Sequence, residues 1–223
     1  MLRAVGVRKA FRAPEGGVIE VLRGVDLQLE PGEQVAVVGR SGSGKSTLLN
    51  VLGCLDRVDG GELWFRGFSL TGANRGAVAR FRGREIGFVF QAFHLIPSLT
   101  AWENVLLAAR YVGRDRRAAA RAAAELVDRL GIADRKSHYP PALSGGEQQR
   151  VAFCRAVLND PAVILADEPT GNLDEDNARV ILDELRARVR ERRAAVLLVT
   201  HDAELARTAD RVLRLTDGQL VPF

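Results

Sequence analysis

The sequence is poor in several residue types that mark other protein classes. Its 223 residues include two cysteines, one methionine, two tryptophans and two tyrosines. The two cysteines, Cys54 and Cys154, are too few for a disulfide framework in a chain of this length. Neither has a second cysteine or a histidine at zinc-ligand spacing. We therefore expect both to be reduced thiols in the core.

Long apolar runs are also missing. The longest stretch without a charge, Ile86 to Trp102, is interrupted by Gln91, His94, Pro97 and Ser98, whereas a spanning helix needs ~18 or more apolar residues. The first residues lack the apolar segment that a secretory signal requires. We therefore expect no membrane-spanning segment and a protein that stays in the cytosol.

Lysine is scarce although the chain is basic. Only three of its 32 basic residues are lysines, and 28 acidic residues leave a net charge of +4. The arginines are mostly dispersed, and runs such as Arg186 to Arg193 include acidic residues, which is typical of solvated helix faces and not of a nucleic-acid patch. In such an arginine-rich chain, the retention of Lys45 indicates a place where a compact point charge is needed.

The length of the chain and its composition, with 47% hydrophobic and 27% charged residues, are those of one globular domain. The pattern of the sequence predicts the α/β class. The spacing predicts a mixed core sheet, an N-terminal antiparallel β lobe and a helical block from Leu99 to Leu130. After Ala162 strands alternate with helices, which implies parallel pairing. The predicted strands are Leu2 to Phe11, Val18 to Leu22, Val25 to Glu30, Gln34 to Val38, Glu62 to Phe65, Val163 to Ala166, Ala195 to Val199 and two around Asp217, and the other predicted helices are Lys45 to Leu55, Asn177 to Arg192 and Ala203 to Ala209.

A glycine-rich turn matches the phosphate-loop pattern G-x-x-x-x-G-K-[ST] over Gly39 to Ser46. Its glycines let backbone N–H groups point into one concavity, and the N-terminus of the following helix adds partial positive charge. Lys45 would reach the β- and γ-phosphates, and the Ser46 hydroxyl would ligate Mg²⁺. The alternative, an ordinary Gly/Ser turn, does not explain why Lys, Ser and Thr follow it.

Two carboxylates, Asp167 and Glu168, end an apolar strand pattern. At the carboxyl edge of a parallel sheet they would lie beside the phosphate loop. Asp167 would hold Mg²⁺, and Glu168 would polarise the attacking water as general base. Taken alone, a strand that ends in Asp-Glu is ordinary, so this prediction depends on the phosphate loop.

A second anion-binding helix start is predicted at Leu-Ser-Gly-Gly-Glu. Ser144 is a good N-cap, and Gly145 and Gly146 free the N–H groups of the first turn. One nucleotide does not need two such helix ends on one small domain. We therefore expect the second end to serve a nucleotide held by another copy.

The phosphate loop, Leu-Ser-Gly-Gly-Glu and Leu-Ala-Asp-Glu-Pro-Thr together resemble the nucleotide-binding subunit of an ATP-binding cassette (ABC) transporter, over essentially the whole chain. The resemblance implies an ABC-ATPase fold of the P-loop NTPase class, an active ATPase, and ATP and Mg²⁺ as cofactors. It implies a single ABC ATP-binding domain over residues 1–223, with a helical subdomain at roughly residues 92–158.

The resemblance also implies roles for single residues. Phe11 would stack on adenine, Gln91 would sense Mg²⁺ and the attacking water, and His201 would contact the γ-phosphate. Two copies would bind head to tail around two ATP molecules, and Asp174 would reach the partner's site. The predicted nucleotide-binding residues are Phe11, Gly39, Arg40, Ser41, Gly42, Ser43, Gly44, Lys45, Ser46, Thr47, Ser144, Gly145, Gly146, Glu147 and Asp174; the predicted catalytic residues are Glu168, His201 and Gln91; and the predicted metal-site residues are Ser46, Gln91 and Asp167.

Two shorter phrases, Gly-Cys-Leu-Asp and Phe-His-Leu-Ile-Pro, resemble ATPases of the MacB and LolD type. This implies membrane permease partners of the MacB/LolC-E type, a role in lipoprotein release or in macrolide or peptide export, and a peripheral location on the cytoplasmic face of the bacterial inner membrane. Phe88 to Leu99 would form the groove for a cytoplasmic helix of the partner.

Two alternatives remain open at this stage. One is an FtsE-like cassette that regulates a cell-envelope hydrolase through a membrane partner, without transport. The other is a cassette that acts on nucleic acid or ribosomes, which the single uninterrupted cassette and the absence of sustained heptads disfavour.

Overall fold

The N-terminal part of the chain folds into an antiparallel sheet, as its strand patterns predict. The computed structural model describes residues 1–13 and 16–223. Four strands make this sheet: β1 (Leu2–Arg12), β2 (Val18–Leu29), β4 (Gly60–Phe65) and β5 (Phe68–Ser69). Their order is β2-β1-β4-β5, and every neighbouring pair is antiparallel.

A six-stranded sheet forms the centre of the molecule. Its strands are β3 (Gln34–Val38), β6 (Ile86–Phe90), β7 (Val163–Asp167), β8 (Ala195–Val199), β9 (Arg211–Thr216) and β10 (Gln219–Pro222). The order is β10-β9-β3-β8-β7-β6; only β10 pairs antiparallel, with β9. The loops after β3, β6, β7 and β8 therefore open on one edge of the sheet, and the predicted mixed α/β core is confirmed.

Seven α-helices surround the sheets in the described residues. They are α1 (Lys45–Leu52), α2 (Arg75–Glu85), α3 (Ala101–Val112), α4 (Arg116–Arg129), α5 (Gly145–Val157), α6 (Glu175–Arg192) and α7 (Ala203–Ala206). Helices α3 to α5 lie within residues 92–158, where a helical subdomain is predicted. None of the helices in the described residues has the length and apolar character needed to span a bilayer.

The two faces of the central sheet bury different cores, because successive strand side chains point to opposite sides. On one face, Val163 and Leu165 of β7 pack in a cluster that includes α1 and the N-terminal sheet. On the other, Ile164 and Ala166 pack with α3, α4, α5 and α6. All four of these side chains have 0% exposure. The sheet is thus a rigid middle layer whose carboxyl edge can hold functional groups in place.

Several elements differ from their sequence predictions. β2 is continuous where two strands are predicted, and α7 ends at Ala206 instead of Ala209. α1 ends at Leu52, three residues early, because Gly53 is its C-cap and Cys54 has a φ of 56°. α2 lacks a prediction because only one of its residues, Phe81, is buried, so it shows no apolar periodicity.

The predicted partner groove from Phe88 to Leu99 is wrong in its first part. Residues 88–90 belong to β6, which pairs with β7, and Val89 is fully buried in the core. Phe88 and Phe90 are partly buried, and the first exposed residue of the stretch is Gln91. The apolar stretch in the sequence therefore includes both a core strand and the loop that follows it. Periodicity alone does not distinguish the two in so short a stretch.

Candidate functional site

The phosphate loop connects β3 to α1 at the carboxyl edge of the sheet, in the strand-loop-helix context that the motif requires. Gly42 and Gly44 have φ values of 76° and 99°, in the left-handed region that favours glycine. A Cβ at Gly44 would also lie 2.6 Å from Cγ1 of Val21. Because the N-cap of α1 is this glycine, no side chain caps the helix, and its first N–H groups face the loop.

Lys45 spans the phosphate loop with its side chain. Its Nζ donates to the carbonyl oxygen of Gly39 at 2.8 Å and to that of Arg40 at 2.9 Å. The ammonium therefore lies against the first two carbonyls of the loop. The loop thus joins a point charge to a concavity of amide donors, which is the chemistry of a phosphate site.

Asp167 is the last residue of β7 and lies close to the start of α1. Burial raises the pKa of its carboxyl group, while a hydrogen bond with the Ser46 hydroxyl and the charge of Lys45 act in the opposite direction. A carboxylate paired with a hydroxyl is a hard-oxygen donor set that suits Mg²⁺. The described residues contain no group of three or more His, Cys, Asp or Glu placed to hold a metal.

Glu168 turns away from Asp167 toward the end of β8. Its φ of 44° redirects the chain, and its N–H donates to the Val199 carbonyl at 2.9 Å. Oε1 accepts from the His201 backbone N–H at 2.8 Å and lies 2.7 Å from His201 Nδ1, while Oε2 accepts from Thr200 Oγ1 at 3.2 Å. Thr200 is 1% exposed. The carboxylate is therefore fixed by the loop that carries His201.

Most of the predicted phosphate, metal and catalytic residues share one cavity of about 540 Å³. It is lined by Phe11, Ser41, Gly42, Gly44, Lys45, Ser46, Thr47, Gln91, Asp167, Glu168 and His201, together with Val21. An adjoining cavity of about 870 Å³ is lined by Gly39, Arg40, Ser43 and the hairpin of β9 and β10. Residues from four separate loops and from the N-terminal sheet thus converge beside the phosphate loop.

Gln91 follows β6 and is tied to the segment after Glu168. Its Nε2 donates to Asn172 Oδ1 at 3.3 Å, and Asn172 Nδ2 donates back to the Gln91 carbonyl at 3.2 Å. The side chain therefore lies where it lines the cavity and also contacts the loop that leads to α6.

The Ser144 segment lies elsewhere, at the start of α5. Ser144 Oγ accepts from the Glu147 N–H at 3.2 Å, and Glu147 Oε2 accepts from the Ser144 N–H at 2.8 Å, which is a capping box. A hydrogen bond from Arg135, 2.7 Å from Oε1, lowers the pKa of Glu147, and the Ser144 bond lowers it further. Among the described residues that line the two cavities, none comes from residues 144–147.

Asp174 is also outside both of these cavities and caps α6. Its carboxylate accepts from the Asn177 N–H at 2.8 Å, and this bond lowers its pKa. The structure therefore separates the predicted residues of one chain into a phosphate-loop group and a second group that consists of residues 144–147 and Asp174.

Two supporting residues on α5 lack a sequence prediction. Gln149 is 1% exposed and donates to the carbonyls of Phe90 and Pro169, at 3.2 and 2.7 Å. Arg155 donates to the carbonyls of Phe93 and His94, at 2.9 and 2.6 Å, and burial lowers the pKa of its guanidinium. They connect α5 to the segments around Gln91 and Glu168. The signal that could have found Gln149 is its position on the apolar face of the helix, three residues before Ala152.

The chain is similar to known proteins over nearly its whole length. The family model described as ABC transporter matches residues 22–171. The chain is 48% identical over 219 residues to the lipoprotein-releasing system ATP-binding protein LolD of Ruegeria pomeroyi, covering 98% of this chain and 96% of that protein. It is 46% identical over 221 residues to the macrolide export ATP-binding/permease protein MacB of Wolinella succinogenes, covering 99% of this chain but 34% of that longer protein.

Solved structures show the same relationship. Two dimeric structures of the bacterial ABC transporter cassette MJ0796, one of them a post-hydrolysis state bound to ADP and phosphate, match with a TM-score of 0.92. They are 38% identical, and the match covers 99% of this chain and 96% of theirs. The chain therefore belongs to the ABC transporter family and is one of its ATPase cassettes.

Proposed function

We propose that this cassette binds ATP in the 540 Å³ cavity and uses its hydrolysis to drive a membrane-embedded partner. The observation that carries the proposal is the convergence of Lys45, Ser46, Asp167, Glu168 and His201 around that cavity. Residues 1–223 act as a single ABC ATP-binding domain, with residues 92–158 as its helical subdomain.

Each group beside the cavity has a role in holding the nucleotide. The half-exposed ring of Phe11 stacks on adenine. The N–H groups from Gly39 to Thr47 and the ammonium of Lys45 bind the phosphates. Ser46, Asp167 and Gln91 would hold Mg²⁺, directly or through water, and the bound ion would supply positive charge against the phosphates.

Glu168 orients the attacking water and accepts its proton. An ionised carboxylate offers about four lone-pair positions. Two protein donors, Thr200 Oγ1 and the His201 N–H, contact this one, and His201 Nδ1 lies 2.7 Å from Oε1. Oε2, which accepts only from Thr200, keeps a lone pair for the water. As the water oxygen bonds to the γ-phosphorus, the bond to the leaving ADP oxygen breaks, and His201 contacts the γ-phosphoryl oxygens.

The second group of residues serves the nucleotide of a second copy. Residues 144–147 and Asp174 lie outside the cavities of their own chain, and the related cassette structures are dimeric. A head-to-tail homodimer places the α5 start of one copy over the phosphate loop of the other. Two ATP molecules are then enclosed by groups from both chains.

The experiment that tests this proposal is light scattering of the Glu168→Gln protein with and without Mg-ATP. ATP should convert monomer to dimer, and Ser144→Arg, added to Glu168→Gln, should prevent the conversion without reducing ATP binding to the monomer. A protein that binds ATP yet stays monomeric would contradict the shared site.

The partner is an integral membrane permease of the MacB/LolC-E type, because relatives named LolD and MacB match almost the whole chain. The cassette lies peripherally on the cytoplasmic face of the inner membrane, powers lipoprotein release or the export of macrolides or peptides, and has no nucleic-acid partner. The docking groove is a cavity of about 290 Å³ lined by Phe93, His94, Leu95, Pro97, Pro140, Pro141 and, from α5, Gln148.

Reconstitution with such a permease tests the groove. Ile96 is 37% exposed and lies at the rim of the groove, between the lining residues Leu95 and Pro97. Ile96→Glu should abolish co-purification and stimulation of ATPase activity by the permease, while the basal activity of the isolated chain stays unchanged. Phe68→Glu, at a 50% exposed position on the N-terminal sheet, is the matched control and should leave the complex intact. Retained binding by Ile96→Glu would place the partner elsewhere.

A further inference from the structure

The start of α5 and the start of α6 are joined by the side chain of one residue, Asn177. Its Nδ2 donates to both carboxylate oxygens of Asp174, at 2.8 and 2.7 Å, and its Oδ1 accepts from Arg150 Nη2. A donor toward Asp174 and an acceptor toward Arg150 fix the orientation of the amide. Asn177 is thus clamped between two charged side chains from different helices.

The glycine turn at α5 packs directly on this amide. Gly146 is buried, and a Cβ added there would overlap all three terminal atoms of the Asn177 side chain. Any side chain at position 146 must therefore displace Asn177 and, with it, the bonds that hold Asp174. Arg150 is itself held in place, since its Nη1 also donates to the Leu130 carbonyl at 3.3 Å.

We propose that Asn177 is a positioning residue that makes Ser144, Gly145 and Asp174 one rigid unit for presentation to the second copy. The inference rests on the proposed two-copy function. Without the amide, the exposed carboxylate of Asp174 keeps its backbone cap but loses the two bonds that orient it relative to α5. Asn177 contacts neither of the two cavities beside the phosphate loop, so it acts through Asp174 and Gly146 and not on the nucleotide of its own chain.

Steady-state kinetics of Asn177→Ala provide the first test. The loss of the two bonds should lower kcat about tenfold, while KM for ATP and the nucleotide affinity of the monomer stay within about twofold. Arg179→Ala, at an exposed position on the same helix, is the matched control and should behave as wild type. Asn177→Asp keeps the size and the acceptor for Arg150 but replaces the donor toward Asp174, so it should be impaired at least as much.

A double-mutant cycle separates positioning from a general structural effect. In the Glu168→Gln background, Asp174→Ala should weaken ATP-induced dimerisation, and Asn177→Ala should add almost nothing to it, because residues in one network are not additive. Full additivity, or a kcat of Asn177→Ala equal to that of Arg179→Ala, would overturn the proposal. If Asn177→Ala does not fold, the same cycle with Asn177→Asp decides.

Failure of the positioning role can be distinguished from failure of the proposed two-copy function. If the Glu168→Gln protein itself does not dimerise with Mg-ATP, the two-copy site is wrong and the cycle has no signal to measure. If it dimerises and the Asn177 variants match the control, the two-copy site stands and only the positioning role is lost.

Discussion

Two helices of this chain begin at glycine-rich turns, and they begin differently. α1 starts after Gly44, which has no side chain to cap it, so its first N–H groups face the phosphate-loop cavity. α5 starts after Ser144, where the capping box with Glu147 bonds the N–H groups of Ser144 and Glu147 within the chain. The two glycine-rich helix starts thus differ, because the start of α1 has no side-chain cap and the start of α5 has one.

The proposed roles of the two helix starts agree with this difference. The α1 start can bind phosphate as soon as the chain has folded, because its donors have no competing side chain. The α5 start is a preformed surface, held by Arg135, Asn177 and its own cap. In the proposed function, it contacts a nucleotide that another copy has already bound.

The largest effect on turnover should come from Glu168→Gln, which tests the site beside the uncapped start of α1. The amide keeps the shape of the side chain but cannot accept a proton, so kcat should fall by ~10²–10⁴-fold. ATP binding should be retained. Parallel measurements of phosphate release and of ATP binding check this, and undiminished turnover would remove Glu168 from the catalytic role.

A smaller but direct contrast is expected for nucleotide affinity. Lys45→Ala removes a charged donor from the phosphate loop and should weaken ATP binding to the monomer by roughly 10- to 100-fold. Ser144→Ala should leave that affinity unchanged, because Ser144 lies outside the cavity of its own chain. Fluorescent-nucleotide titration of the monomer checks both. Equal losses in the two variants would end the distinction between the two helix starts.

Stability should distinguish the same two helix starts. Ser144→Ala removes an N-cap and should cost about 1 kcal/mol of unfolding free energy. Gly44→Ala places a side chain at a φ of 99° and against Val21, and it should cost more, about 2 kcal/mol or above. Urea denaturation measures both. A smaller loss of unfolding free energy for Gly44→Ala than for Ser144→Ala would show that the loop relaxes easily.

The smallest effect concerns pH and the α5 cap. Because the folded pKa of Glu147 is lowered, mainly by Arg135, its ionised form adds stability above its unfolded pKa. That contribution is lost as the pH falls through the lowered folded value. Glu147→Gln should therefore lose less stability between about pH 6 and pH 3 than wild type. Arg135→Gln should reduce the loss in the same way, and identical acid profiles for all three proteins would exclude the effect.

Motif residues were the most predictable part of the site. A glycine with positive φ before Lys45, and a carboxylate at the end of a buried strand, are local requirements that short stretches of sequence express directly. Gln149 and Arg155 were less predictable, because their roles depend on which carbonyls come within reach once α5 packs against β6 and β7. The basic helix α2 was not predicted because it has only one buried side chain, so its sequence shows no apolar periodicity.

The sequence by itself determined the chemistry: the phosphate loop, the acidic strand end, the capped α5 start and the α/β class follow from residue types and spacing. Only the tertiary structure decided which of these groups meet. The parallel order of β3, β8 and β7 brings Lys45, Glu168 and His201 to one edge, while α5 and α6 carry Ser144 and Asp174 away from the phosphate-loop cavity and tie them through Asn177. Such pairings depend on strand order and helix packing between residues far apart in the chain, which local spacing does not record.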